Sequence, residues 1–164
     1  FEFCMNATGV CVEANPRFAA RWRAFRTCEF VNTCLSETEA SVDFAIQDQD
    51  FSTRSGILRD NKSFKNGMRA ESREITKMTC TTGAKVLSGK KHIDLLDLDV
   101  EGHELPILKG IDWDTTTIDI IVVEMNNEDV HPFLVQKISI PNLILKILTH
   151  RSDMFKFSMK FIKN

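Results

Sequence analysis

The stretch at residues 93–124, IDLLDLDVEGHELPILKGIDWDTTTIDIIVVE, decides the fold of this chain. It opens with a short apolar run at 93–98, of strand length, and closes with a β-branched, nearly continuous run at 118–123. Between the two runs, Pro106 suits the first turn of a helix, and Gly110 suits the position just past its end. The stretch therefore predicts a βαβ unit with two parallel strands and a short helix between them.

Ionisable side chains cluster where these predicted strands end. Asp99, Glu101, His103 and Glu104 follow the first strand, and Glu124 follows the second. Ligands of open parallel sheets bind outside the carboxyl ends of the strands. If the turn after the first strand stays extended, Asp99, Glu101 and His103 share one side, and the crowded carboxylates raise one another's proton affinity. We therefore predict that these three residues are catalytic, with one of them acting as a general base.

The same residues have simpler interpretations. Acidic side chains near a helix start interact favourably with the helix dipole, so Glu101 and Glu104 can be capping residues. His103 can be a solvent-exposed or capping residue. Asp99, Glu101, His103 and Glu124 together offer hard oxygen ligands and one imidazole, which suits a divalent cation, but we predict no metal here.

A separate acidic residue, Glu13, ends a predicted strand at 9–13 and precedes a helix that starts at Asn15-Pro16. A carboxylate at such a point can accept hydrogen bonds from both ribose hydroxyls of a nucleotide-like cofactor. The same rule places a glycine-rich turn about 20 residues earlier, and the seven glycines form no G-x-G-x-x-G. We therefore expect the cofactor turn, its strand and the first helix to precede residue 1, which makes the chain the carboxyl-terminal portion of a larger domain.

The remaining chain continues the alternation of strands and helices. The helix after Asn15-Pro16 carries Phe18, Trp22 and Phe25 on one face, which we expect to lie in the core. The polar stretch at 47–73 contains an Asn66-Gly67 hairpin signal and can form a loop that covers a substrate. The other predicted elements are strands at 29–35 and 42–46, an edge strand at 75–82, a short helix at 84–88 and a strand at 155–161.

Composition excludes several classes of protein. The 164 residues suit one domain, and the net charge of −2 argues against a general nucleic-acid binder. No apolar run approaches the ~18 residues that a membrane-spanning helix needs. The five cysteines include no C-x-x-C pair, which fits neither a zinc ribbon nor a closed disulfide framework. We expect Cys11 and Cys34 to be buried small hydrophobes, and this favours a reducing compartment, the cytoplasm.

The segment DLDVEGHELPILKGID at 97–112 resembles the signature of the FkbM family of S-adenosylmethionine-dependent methyltransferases. That signature is a hydrophobic strand, then D-x-E-G-x-E, then a short helix ending in L-x-G. A second matching piece is GVCVEANP at 9–16, and the resemblance covers residues 1–126. The matching positions of the signature are Asp99, Glu101, Gly102, Glu104, Leu108 and Gly110.

The resemblance implies an α/β fold: a Rossmann-like class I methyltransferase sheet with helices on both faces, its first strand and glycine-rich loop missing. Residues 1–164 would form a single, partial domain with a divergent part at 127–164. The cofactor would be S-adenosyl-L-methionine, with Glu13 on the ribose and Ala14 against the adenine, and Asp99 would face the methionine end or the methyl acceptor. The full set of implied cofactor-binding residues is Glu13, Ala14, Asn15, Leu35, Ser36 and Asp99.

Three functions follow, in order of preference. The first is methyl transfer to an oxygen of a small hydroxylated acceptor, with no nucleic-acid partner and no clear membrane segment. The second is a non-catalytic remnant or binding module of the same fold, because the glycine-rich turn is lacking. The third is a nicotinamide-dependent enzyme, since Glu13 can serve a ribose there too, but the D-x-E-G-x-E stretch speaks against it.

Overall fold

The computed structural model describes residues 7–47, 55–58, 73–125 and 127–138. Most of the polar stretch at 47–73, with its Asn66-Gly67 signal and its predicted substrate-covering loop, lies outside the described residues, as does the strand predicted at 155–161. The strands are β1 (Val10–Val12), β2 (Glu29–Val31), β3 (Cys34–Ser36), β4 (Ala40–Gln47), β5 (Gly56–Ile57), β6 (Arg73–Thr82), β7 (His92–Leu98) and β8 (Thr117–Val123). The α-helices are α1 (Ala19–Phe25), α2 (Gly83–Val86), α3 (Glu104–Lys109) and α4 (Val130–Ile138), and a 3-10 turn at Pro16–Phe18 precedes α1.

The predicted βαβ unit is confirmed. Strands β7 and β8 pair in parallel, with Leu98 opposite Val123 at their carboxyl ends, and α3 connects them. Pro106 lies in the first turn of α3 and Gly110 is its C-cap. The helix buries Ile107 and Leu108 against the strands because these side chains lie on its inward face.

Position 110 requires glycine because the end of α3 approaches the backbone of Ser36 closely, and not because of its own backbone angles. Its φ of −79° is ordinary, but a Cβ at this position would lie 2.3 Å from the carbonyl oxygen of Ser36. The end of α3 therefore rests directly on the backbone at the end of β3. This contact fixes the helix relative to a strand of another sheet.

The amino-terminal βαβ-like unit also forms as predicted, with one correction. Strands β1 and β2 pair in parallel, and the side chain of Asn15 accepts a hydrogen bond from the Arg17 N–H at 3.0 Å, as a helix N-cap should. However, Phe25 is 67% exposed, so the expectation that it lies in the core is wrong. Trp22 instead stacks on Phe30 of β2, with ring centroids 6.3 Å apart.

The single strand predicted at 29–35 is two strands. Asn32 and Thr33 interrupt it, so that β2 pairs with β1 whereas β3 pairs in parallel with β6. The second sheet has the order β3-β6-β4-β5, in which β6 pairs with β3 on one side and antiparallel with β4 on the other. The prediction of an edge strand at 75–82 is therefore wrong: the weak alternation of that segment gave no sign of its two neighbours.

The cysteines also differ from the prediction. Disulfides join Cys11 to Cys28 and Cys34 to Cys80, so Cys11 and Cys34 are buried but are not separate thiols. Cys34 and Cys80 are register partners on adjacent strands, a proximity that spacing in the sequence does not reveal. Since disulfides persist in oxidising compartments, the basis for expecting a cytoplasmic location is removed.

The described residues form a mixed α/β structure with two parallel strand pairs and one mixed four-stranded sheet. One hydrophobic cluster contains residues of β1, β7, β8, α3 and α4, which places both parallel pairs around a common core. A smaller cluster lies in the four-stranded sheet and includes the Cys34–Cys80 pair. None of the helices in the described ranges is long and apolar enough to cross a bilayer.

Candidate functional site

Three carboxylates meet at the carboxyl ends of β7 and β8. Asp99 directly follows β7 and Glu124 directly follows β8, and the Glu124 N–H donates to the Leu98 carbonyl at 3.1 Å, which extends the pairing to these ends. One oxygen each of Asp99, Glu101 and Glu124 lies within 4.8 Å of the others. We call these three residues the carboxyl-end cluster. The parallel register produces it, because it aligns the residues that follow both strands.

The turn that carries this cluster is not extended. Glu101 has a φ of 60° and Gly102 a φ of 104°, so both adopt left-handed backbone conformations. Such a conformation in a non-glycine residue is uncommon and is found often at functional sites. The sharp turn reverses the chain into α3. Asp99, Glu101 and His103 therefore do not all share one side, as they would in an extended segment.

Glu104 stabilises this turn from within. It is fully buried, and one carboxylate oxygen accepts the N–H of Gly102 at 2.9 Å and of Val100 at 3.3 Å. A first-turn acid that reaches back to preceding N–H groups acts as in a capping box. The geometry thus agrees with the capping interpretation of Glu104, and burial raises the pKa of its carboxyl group.

Burial and neighbouring charge strongly shift the protonation of Glu124. Desolvation, the charge of Asp99 and a hydrogen bond with Asp99 raise the pKa of Glu124 to about 8, and the charges of Glu101 and Glu104 act in the same direction. A carboxyl group with this pKa holds its proton at neutral pH and donates it to a neighbour. Glu124 and Asp99 therefore act as a pair that shares a proton.

His103 is not a member of the carboxyl-end cluster. It is 4% exposed, so the expectation of a solvent-exposed residue is wrong, and its Nε2 lies 3.1 Å from the Ser36 Oγ. It occupies the N-cap position of α3 without a side-chain capping bond. The ring thus links the start of α3 to β3, much as Gly110 does at the other end of the helix.

The predicted ribose ligand, Glu13, directly follows β1. One of its carboxylate oxygens accepts the Asn15 N–H at 2.7 Å, and its carbonyl accepts from Asn32 Nδ2 at 2.6 Å. Asn32 follows β2, the parallel partner of β1, so it holds the Glu13 backbone in place from the adjacent strand end. Sequence reasoning missed Asn32, because the strand predicted at 29–35 placed it in mid-strand, whereas β2 ends at Val31.

The other implied cofactor residues occupy mixed environments. Ala14 is half-buried against the smaller hydrophobic cluster. Asn15 is 2% exposed, and its side chain both caps the following turn and donates to Ser55 Oγ at 3.2 Å, so it supports the local backbone. Leu35 belongs to the main core, and Ser36 is the partner of His103.

The structure therefore groups the predicted site residues differently from the sequence analysis. Asp99 and Glu101 are together, as predicted, but the third member is Glu124 instead of His103. The signal for Glu124 was its place at the end of the second strand of the βαβ unit. Glu13 and its neighbours lie at the end of the other parallel pair.

A mixed α/β fold with carboxylates at the ends of parallel strands places a ligand site at this edge of the sheet, and the comparison with known families indicates which chemistry it serves. The family model of the methyltransferase FkbM domain matches residues 3–151. Because this match covers most of the chain, the protein belongs to the FkbM methyltransferase family. The match continues past residue 126, where the resemblance stated from the motifs ends. No curated protein and no solved structure matches the chain significantly.

Proposed function

We propose that this protein is an S-adenosylmethionine-dependent methyltransferase that transfers the methyl group to an oxygen of a small hydroxylated acceptor. The observation that carries the proposal is the carboxyl-end cluster, in which Asp99 and Glu101 of the D-x-E-G-x-E motif meet Glu124. The cluster lies where parallel sheets bind ligands, and the protein belongs to a methyltransferase family.

The end of β1 has the chemistry that the cofactor requires. A ribose presents two hydroxyl donors, and Glu13 presents a carboxylate acceptor whose direction is set by the Asn15 N–H. The Asn32 side chain, which donates to the Glu13 carbonyl, keeps this strand end from moving away from its neighbour. Ala14 offers a small apolar surface beside Glu13, which suits contact with an adenine ring.

The proposal includes one Rossmann-like sheet that contains both parallel pairs. Support comes from the common core: Val10 and Val12 of β1 belong to the same hydrophobic cluster as Leu96 and Leu98 of β7. In that arrangement Glu13 and the carboxyl-end cluster lie along the same edge of the sheet, as one cofactor requires.

Proton transfer is the role we assign to the carboxyl-end cluster. The cofactor supplies an electrophilic methyl group on a sulfonium. The acceptor hydroxyl would be the nucleophile, and Asp99 would take its proton. The proton held by Glu124 at neutral pH limits the negative charge of the cluster, since two adjacent carboxylates ionise together only at a cost.

Cofactor binding and turnover test this proposal separately. Calorimetric titration with S-adenosylmethionine should show binding that Glu13→Ala weakens at least ~10-fold, whereas Glu128→Ala, at an exposed acid before α4, leaves it unchanged. Methyl transfer from radiolabelled cofactor to a panel of hydroxylated small molecules should be lost in Asp99→Ala while binding persists. Absence of cofactor binding at millimolar concentration would instead favour the remnant or binding module.

A further inference from the structure

A second group of ionisable side chains lies at the opposite end of the same two strands. His92 begins β7, and Asp94 and Asp119 occupy the positions between the paired residues Ile93↔Ile118 and Leu95↔Ile120. One ligand atom from each of His92, Asp94 and Asp119 lies within 4.8 Å of the others. We call these three residues the amino-end cluster. At ~3.3 Å per residue, β7 places it about 20 Å from Asp99, so it is separate from the proposed catalytic site.

The hydrogen bonds of Thr117 determine which nitrogen of His92 carries a proton. The Thr117 hydroxyl donates its proton to the Lys91 carbonyl at 3.1 Å, since a carbonyl can only accept. The 3.1 Å contact between His92 Nδ1 and Thr117 Oγ1 therefore requires Nδ1–H as the donor. This leaves Nε2 directed at the acids, 3.2 Å from Asp119 Oδ2 and 3.9 Å from Asp94 Oδ1.

The space in front of His92 Nε2 is bordered by carboxylate oxygens. Asp94 and Asp119 lie side by side on adjacent strands, so the two acids face the same space. The Asp94 Oδ2 atom is also buried, with no hydrogen-bond partner among the described residues. A cation held between the three side chains would give all of them a common partner.

The arrangement matches a metal site in its details. Metal-binding histidines use one ring nitrogen as ligand and donate the other N–H to a hydrogen-bond acceptor that fixes the ring, as Thr117 does here. Zinc accepts imidazole nitrogen and carboxylate oxygen as ligands, and with three protein ligands its fourth position is taken by water. The exposed fractions of the His92 and Asp119 side chains, 54% and 41%, leave room for that water and for entry of the ion.

We propose that His92, Asp94 and Asp119 bind a divalent metal ion of the zinc class, which joins the amino ends of β7 and β8. The ion binds His92 Nε2 and takes one oxygen from each aspartate. This site is independent of methyl transfer, and it acts on the stability of the βαβ unit.

Zinc-dependent melting tests the proposal. The full chain is prepared as Cys4→Ser, so that the fifth cysteine supplies no thiolate, and is stripped of metal with a chelator. Zinc chloride at 100 µM should raise the melting temperature by ~3 °C or more, with one ion bound per chain in calorimetry. The shift should disappear in His92→Ala and persist in His131→Ala, a variant of an exposed histidine in α4.

Asp119→Asn provides a second variant that keeps the side-chain shape and should lower zinc affinity at least ~10-fold. It also decides the test if His92→Ala does not fold. The absence of a zinc effect in the parent protein means that the cluster holds a protonated histidine only, which overturns the proposal. An equal effect in the parent and in both amino-end variants places the ion elsewhere and overturns it as well.

Discussion

The two ends of the β7–β8 pair carry three ionisable residues each, yet they have different chemistry. The carboxyl-end cluster consists of three acids, and it resolves their repulsion partly by keeping a proton on Glu124. The amino-end cluster consists of two acids and a histidine, whose Nε2 lies 3.2 Å from Asp119 Oδ2. One end therefore holds a proton that it can exchange, whereas the other offers a mixed set of ligands to a cation.

This difference indicates which end is suited to catalysis. A carboxyl group whose pKa lies near neutral pH can exchange a proton with a substrate, and it is destabilising when it loses that proton. An acid paired with a cation is a stable hydrogen-bond acceptor, and it does not exchange a proton with a substrate in this way. Backbone geometry agrees, because among the residues described here the one non-glycine residue with positive φ, Glu101, belongs to the carboxyl-end cluster.

The largest expected effect comes from removing the proton acceptor. Asp99→Asn should lower methyl transfer by ~10²-fold or more, because the amide cannot take the hydroxyl proton. The same change should raise the melting temperature, since it removes one of three adjacent carboxylates. Methyl-transfer rates and thermal melts of Asp99→Asn and Glu128→Gln measure both effects. Full activity in Asp99→Asn would contradict the assigned role.

The next largest effect is a loss of stability, expected from a substitution that disturbs the contact between α3 and β3. Gly110→Ala should destabilise the protein by ~2 kcal/mol or more, because the new methyl group would meet the Ser36 carbonyl at 2.3 Å. Gly89→Ala is the matched control: its φ of +79° makes alanine unfavourable, but nothing lies within 4 Å of the new atom, so its cost should be only ~1 kcal/mol. Urea unfolding of the two variants compares them. Equal losses would mean that the close contact at Gly110 costs no more than the backbone strain at Gly89.

The pH dependence of stability distinguishes the two ends more finely. The pKa of Glu124 is raised from 4.5 to about 8 on folding, so between these values the native state holds a proton that the unfolded state lacks. This contribution to stability is complete below pH 4.5 and is lost as the pH rises through 8. Glu124→Gln stays neutral, so it should melt as the parent does at pH 5 and ~3 °C higher at pH 9.

Thermal melts from pH 5 to pH 9 measure this effect, with Glu128→Gln as the control for loss of an exposed acid. A constant offset between Glu124→Gln and the parent at all pH values would show that Glu124 does not hold the proton.

The smallest effect is expected at the amino end. In metal-free buffer, His92→Ala should change the free energy of unfolding by less than ~1 kcal/mol, because half-exposed ion pairs contribute little. This small change in metal-free buffer is to be compared with the zinc-induced rise in melting temperature, which His92→Ala should abolish. A large loss in metal-free buffer would indicate that the imidazole stabilises the strands without a metal ion.

Sequence patterns predicted those structural features that depend on residues close together in the sequence. The strands and helix at 93–124, the Asn15 cap and the place of Gly110 follow from apolar runs, proline and glycine within a few positions of each other. Asp99 and Glu101 could be placed together for the same reason. The family signature added the expected chemistry.

Features that depend on distant residues could not be predicted in this way. The burial of His103 depends on Ser36, 67 residues away, and the cysteine pairing depends on the register of β3 with β6. Phe25 fits an apolar helical face, yet it is exposed because α1 presents Trp22 to Phe30. Glu124 was expected at the same end of the sheet, but its hydrogen bond with Asp99 depends on the register of β7 with β8.

The two disulfides change the products of a single proteolytic cleavage. Cys11–Cys28 and Cys34–Cys80 close covalent loops with sequence separations of 17 and 46 residues. A protease that cleaves once inside either loop leaves two peptides that are still joined through sulfur, and the strands they carry stay neighbours. Such a nicked molecule runs as one species on a non-reducing gel and as two after reduction. The protein can therefore exist as a covalently linked two-chain molecule.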